Sequence, residues 1–202
     1  IHLYKNNGGI NFTNVSIESN IGHQMEARTA IAGDYDNDGD LDLFVGATIG
    51  ASKFLQNNGN GTFQDITSLT GININDQVRG CSWFDYNQDG YLDLYIGLLY
   101  EPNLLYKNNG DGTFIDIAQN VGATGPIGAG IIMGLGAIDY NRDGYQDLYI
   151  TQDNYNGNIL LKNENGSFFT DVSFSSQTDL EVMGMGIAFG DINKDGLFDF
   201  YT

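Results

Sequence analysis

The 202-residue chain holds one cysteine, two prolines, two histidines, and 8 basic side chains against 26 acidic ones. A lone Cys81 excludes an intrachain disulfide. With no histidine near it in sequence, Cys81 reads as a small apolar filler of the strand-like run Gly80-Cys81-Ser82-Trp83-Phe84 and not as a nucleophile. The net charge of −18 argues against nucleic acid and anionic membrane surfaces as partners. No apolar run approaches the roughly 18 residues of a membrane span, which argues against insertion. The opening Ile1-His2-Leu3-Tyr4-Lys5 is not a signal peptide. Helical periodicity is missing too, and the stretches 68–78, 119–131 and 173–183 are expected as irregular connectors.

What is abundant is glycine, 28 residues, with twelve each of Tyr and Phe, a composition of short strands and tight turns. The organising stretch is Asp34-Tyr35-Asp36-Asn37-Asp38-Gly39-Asp40-Leu41-Asp42-Leu43. Acids at positions 1, 3, 5 and 9 with glycine at 6 describe a turn that wraps side-chain oxygens around one hard cation, and Ca²⁺ with its six to eight oxygen ligands is the expected one. Asp40 would offer its backbone carbonyl from position 7, and Asp42 would close the shell. The pattern returns as Asp85, Asn87, Asp89, Gly90, Asp93, then as Asp139, Asn141, Asp143, Gly144, Asp147, then as Asp191, Asn193, Asp195, Gly196, Asp199. The first aspartates stand 51, 54 and 52 residues apart, so residues 1–202 read as one array of a fifty-residue unit. An EF-hand is excluded, because position 12 is Val45 and not Glu, and strand-like runs follow each loop in place of a helix.

Half of the 26 acidic side chains occupy these positions, and four divalent ions would bring −18 to −10. Without metal the repulsion should loosen the chain. Calcium loops this numerous suit millimolar free Ca²⁺, hence an extracellular, secreted or cell-surface setting. Between loops a hairpin recurs, as in Asn103-Leu104-Leu105-Tyr106-Lys107-Asn108-Asn109-Gly110-Asp111-Gly112-Thr113-Phe114, its Asn-Gly and Asp-Gly pairs suited to positive φ. A strand of small residues precedes each loop, as in Gly134-Leu135-Gly136-Ala137-Ile138, and would let strands crowd near an axis. Each unit thus reads as inner strand, loop, second strand, third strand, turn, fourth strand. The expected fold is all-β, a β-propeller of four-stranded antiparallel blades at about 29–67, 80–118 and 134–173. A fourth blade at 184–202 is expected to be completed by 1–16, split between the termini. That split closes a ring within the chain, or joins one copy to the next head to tail, or marks a fragment of a longer propeller.

The loops behind Gly-rich strands resemble FG-GAP/VCBS repeats, the blades of integrin α-subunit propellers and of many secreted bacterial propellers. The Leu-Tyr-Lys-Asn-Asn-Gly-Asp-Gly-Thr-Phe hairpin is similar to the subgroup found in cartilage acidic protein and its bacterial relatives. The resemblance implies Ca²⁺ held by positions 1, 3, 5 and 9 and by the position-7 carbonyls of Asp40, Tyr91, Tyr145 and Leu197, four structural sites in all. Such propellers usually have about seven blades, and four loops are present here.

Catalytic signals are thin. His2 and His23 have no recurrent partner, and the glutamates form no motif; Glu26 and Glu181, each ahead of an inner strand, are the one candidate carboxylate pair for glycoside chemistry. Arg28 and Arg79 hold matching places six residues before their loops, where the other units have Met133 and Met185. They either bind an anion in a channel or, as expected, pair with nearby acids. Sequons at Asn11, Asn14, Asn60 and Asn165 are candidate glycosylation sites in or beside turns. The expected role is a non-enzymatic binding module for adhesion, for matrix or filament assembly, or for contact with a glycan, a protein or copies of itself. The alternative is a calcium-dependent polysaccharide lyase or hydrolase.

Overall fold

The computed structural model describes residues 1–22, 25–125, 131–153 and 156–202. His23 and residues 126–130 of the 119–131 connector lie outside these residues. Three four-stranded antiparallel sheets follow one another, each a meander in which spatial order equals chain order. The first comprises β3 (Glu26–Gly33), β4 (Asp42–Ile49), β5 (Lys53–Asn57) and β6 (Phe63–Asp65). The second comprises β7 (Val78–Phe84), β8 (Asp93–Leu98), β9 (Leu104–Asn108) and β10 (Phe114–Asp116). The third comprises β11 (Ile131–Ile138), β12 (Asp147–Asp153), β13 (Ile159–Asn163) and β14 (Phe169–Asp171). Each begins two or three residues before the expected boundary.

The core lies between sheets, not within one. Tyr35, Phe44 and Phe54 of the first blade meet Leu94, Ile96 and Phe114 of the second, and Phe84, Tyr95 and Leu105 of the second meet Leu148, Ile150 and Phe169 of the third. A strand covered on both faces needs apolar residues without alternation, which is why β8 reads Asp-Leu-Tyr-Ile-Gly-Leu and is buried throughout. The aromatic rings interlock edge to face, Tyr35 on Phe54 at 4.8 Å and Phe54 on Trp83 at 5.8 Å.

Strands β3, β7 and β11 pack one against the next on the inner side. Crowding there depends on missing side chains: a Cβ on Gly33 would stand 2.7 Å from the Trp83 ring, and one on Gly136 would stand 2.5 Å from Phe189. Each fourth strand ends at an aspartate that accepts the N–H two residues on: Asp65 from Thr67 at 3.1 Å, Asp116 from Ala118 at 3.0 Å, Asp171 from Ser173 at 2.9 Å. These turns start single-turn helices, α1 (Thr67–Thr70), α2 (Ala118–Val121) and α3 (Ser173–Ser176), where irregular chain was expected. Four residues carry no periodicity to read.

At the termini, β1 (Tyr4–Asn6) pairs with β2 (Phe12–Asn14), and β15 (Ala188–Gly190) with β16 (Asp199–Tyr201). They form separate two-stranded sheets, so the single blade expected from 184–202 and 1–16 is, in the sheet order, two half-blades. The first half-blade lies on the first full blade, through Ile1 and Leu3 against Val45, Leu55 and Phe63. The last lies on the third, with the rings of Tyr149 and Phe200 4.8 Å apart.

Candidate metal centre

Each acidic loop joins an inner strand to a second strand, and all four share one hydrogen-bond frame. The position-1 carboxylate accepts two backbone N–H groups, from positions 5 and 6: Asp34 from Asp38 (3.1 Å) and Gly39 (3.0 Å), Asp85 from Asp89 and Gly90, Asp139 from Asp143 and Gly144, Asp191 from Asp195 and Gly196. The position-5 carboxylate accepts the position-7 N–H, fixing the peptides of Asp40, Tyr91, Tyr145 and Leu197. Two residues per loop take positive φ. One is the anticipated glycine, at 92° for Gly39; the other is position 4, where Asn37, Gln88, Arg142 and Lys194 lie at 60–62°. No composition rule marks position 4, because four different residue types occupy it.

Position 9 is the first residue of the second strand, and there Asp42, Asp93 and Asp147 are fully buried. Asp93 accepts the N–H of Tyr86 (3.0 Å) and of Asn108 (2.8 Å), clamping the loop to the third strand; Asp42 and Asp147 do the same with Tyr35 and Asn57, and with Tyr140 and Asn163. Burial pushes Asp42 up to about 6, Asp93 to about 7 and Asp147 to about 6, against the lowering by those backbone N–H groups. A divalent cation would act in the opposite sense and favour the carboxylates.

In the first loop the oxygens of Asp34, Asp36 and Asp42 lie within 4.8 Å of one another. Asp36 Oδ2 accepts from Gln56 Nε2 at 2.8 Å, while Oδ1 is buried without a hydrogen-bond partner. A buried carboxylate oxygen without a partner, on a side chain grouped with two more carboxylates, is a donor set that fits a hard cation. Asp38, at position 5, accepts the Asp40 N–H and lies outside that group of three carboxylates, and the Asp40 side chain turns to the hairpin at Gly59, leaving its carbonyl as the group it can offer. In the other loops Asn87, Asn141 and Asn193 take position 3, and each donates Nδ2 to the position-5 carboxylate of Asp89, Asp143 or Asp195 at 2.8–2.9 Å. Those loops carry an amide at position 3 where the first carries a carboxylate.

The loops also touch. Asn37 Nδ2 donates to Gly90 O at 2.9 Å and Gln88 Nε2 to Gly144 O at 2.7 Å, while the Arg142 guanidinium lies against Gly196. The left-handed position 4 thus aims its side chain at the next loop. Third-strand asparagines reach the other way: Asn108 Nδ2 donates to Tyr35 O and Asn163 Nδ2 to Tyr86 O, both at 2.8 Å and buried.

The remaining candidates are scattered. Glu26 opens β3 and Glu181 makes an isolated bridge with Gly157; no described hydrogen bond or ion pair joins them. His2 Nδ1 lies 3.4 Å from Asn14 Nδ2 on the surface. Cys81 is half-buried beside Thr29 Oγ1 at 3.7 Å, and burial raises its thiol to about 11. Asn11, Asn60 and Asn165 are exposed in or beside turns, whereas the Asn14 side chain accepts from the Ser16 N–H and hydroxyl. Among the described residues no helix is long and apolar enough to cross a membrane.

Meander sheets packed face to face, each with an acidic loop between its first and second strands, define the blades of a β-propeller. The chain belongs to the FG-GAP-like repeat family, whose model matches residues 34–96, 98–150 and 139–202. It is similar to cartilage acidic protein 1 of Xenopus tropicalis, 27% identical over 204 residues, covering 95% of this chain and 31% of that protein. The Homo sapiens cartilage acidic protein 1 is 33% identical over 94 residues, 46% of this chain and 14% of that protein. This chain therefore spans about a third or less of these relatives. Among solved structures it is similar to a lectin of Agrocybe aegerita described as recognising non-reducing terminal N-acetylglucosamine. That likeness has a TM-score of 0.57 at 20% identity and covers 98% of this chain and 54% of that one.

Proposed function

We propose that this chain is a calcium-stabilised propeller module that acts outside the cell by binding, not by catalysis. The observation carrying the reading is the buried, unpartnered Asp36 Oδ1, on a carboxylate grouped with those of Asp34 and Asp42, within a loop whose frame recurs four times. In that reading Asp34, Asp36, Asp38 and Asp42 hold Ca²⁺ with the Asp40 carbonyl. Corresponding sets are Asp85, Asn87, Asp89, Asp93 and Tyr91; Asp139, Asn141, Asp143, Asp147 and Tyr145; Asp191, Asn193, Asp195, Asp199 and Leu197. The ion is structural: protein oxygens fill its shell, and its charge offsets the repulsion of a −18 chain. The partners are a glycan or protein ligand in an adhesive or matrix setting, or copies of the chain meeting through the half-blades, whose β1 and β16 each have one unpaired edge. Similarity to a cartilage protein and to the fold of a lectin supports a binding role.

Calorimetric titration of Ca²⁺ into chelator-stripped protein tests the metal: up to four ions are expected, with a melting temperature raised by about 10 °C. No heat and no shift would overturn it. A glycan array run beside a turnover screen of soluble polysaccharides tests the role. Turnover of any polysaccharide would replace the binding reading with a lyase or hydrolase.

A further inference from the structure

Two arginines stand outside the loop chemistry. The pairing of each inner strand with its second strand slips by one residue, between Ala27 and Thr29, between Val78 and Gly80, and between Ile132 and Gly134. Arg28, Arg79 and Met133 are therefore the bulged residues of β3, β7 and β11. A bulge re-aims its side chain away from the ladder, and three bulges at matching places put these side chains at one level of consecutive, touching strands.

Arg79 is half-buried and leans on the third blade, its Nε donating to Ile132 O at 3.3 Å and its Nη2 to Met133 Sδ at 3.1 Å. Arg28 is exposed and, among the described residues, makes no hydrogen bond or ion pair. The expected pairing with acids is thus not found for either arginine. Burial first and then the charge of Arg28 hold the Arg79 guanidinium below its usual range, with Tyr100 and Asp153 acting the other way. Among the described residues, no ion pair joins either guanidinium to any of the chain's 26 acids.

We propose that Arg28 and Arg79 form a binding site for an oxyanion, the carboxylate or sulfate group of an acidic ligand. The planar guanidinium fork matches either group in a bidentate pair, and the Met133 thioether and Ile132 carbonyl hold one fork in place. An oxyanion here would offset the repulsion between the two cations. The site supplies a ligand class for the binding reading and rests on it. Its failure would leave the cation loops untouched, since neither arginine belongs to one.

The test is an NMR titration of the arginine Nε–Hε signals of the full chain in calcium buffer, with sodium sulfate in one arm and sodium glucuronate in the other. The chain has three arginines, and Arg142, set in the third acidic loop beside Gly196, is the internal control. Arg28 and Arg79 are expected to shift together and saturably while Arg142 stays still. Arg28→Ala, on an exposed side chain, is expected to weaken binding about tenfold and leave the melt unchanged. Arg28→Lys should recover only part of it. Tighter binding of glucuronate points to a uronate carboxylate, tighter binding of sulfate to a sulfate ester. Unsaturable shifts, equal movement of Arg142, or undiminished binding by Arg28→Ala would each overturn the proposal.

Discussion

Asp93 shows how a proposed ion ligand also serves the fold. Its carboxylate ties loop to third strand through two buried N–H bonds, so Asp93→Ala is expected to cost about 3 kcal/mol in chemical denaturation. Asp199 occupies the same position in the last half-blade but accepts a single N–H, from Ile192, and Asp199→Ala should cost about 1 kcal/mol. Equal losses would mean the clamp is not what the buried aspartates contribute. Cys81 reports opening of the same framework. Its thiol, raised to about 11 from an ordinary 9.0, is more protonated in the folded than in the unfolded chain as pH rises between those values. Its contribution to stability is therefore whole below about 9 and is lost as pH climbs toward about 11. Near pH 8 a thiol-reactive dye should label it slowly in calcium and quickly in chelator; equally fast labelling in both would show that the ions do not hold the second blade closed.

At the scale of elements, the ties between loops should make the proposed neighbouring sites interdependent. Gln88→Ala removes the bond from the second loop to Gly144 O in the third, and calcium titration of this variant should bind the same number of ions with a shallower slope. An unchanged slope would make the tie incidental. Gly33→Ala drives a Cβ into the Trp83 ring and should destabilise by about 1–3 kcal/mol in urea. Much of this level was legible beforehand, because the Asp-rich loop, the Asn-Gly hairpin and the small-residue strand recur together and each has a local cause. The left-handed Asn37, Gln88, Arg142 and Lys194 were not, since their conformation is imposed by the N–H bonds to position 1. Nor were the bulges at Arg28, Arg79 and Met133, for one extra residue in a ladder leaves no mark until the partner strand is known. The clamp made by position 9 was hidden as well, because a buried aspartate and a metal-ligand aspartate are the same letter.

On the scale of the whole molecule, both half-blades show apolar side chains to solvent: Tyr4, Phe12 and Ile17 on the first, Met185, Phe198 and Tyr201 on the last. The 202-residue chain made by itself should therefore associate with rising concentration, as read by light scattering, and Tyr201→Pro on the outer edge of β16 should reduce that association. Monomer at every concentration would mean these faces are stable bare. The reach of Asn108 back to Tyr35 and of Asn163 back to Tyr86 spans 73 and 77 residues. During synthesis, then, a blade is finished only by its successor: the carbonyls of Tyr35 and Tyr86, inside the first two acidic loops, stay unanswered until the ribosome has delivered Asn108 and Asn163. A nascent chain halted before residue 108 holds a first blade that is paired but not yet fastened.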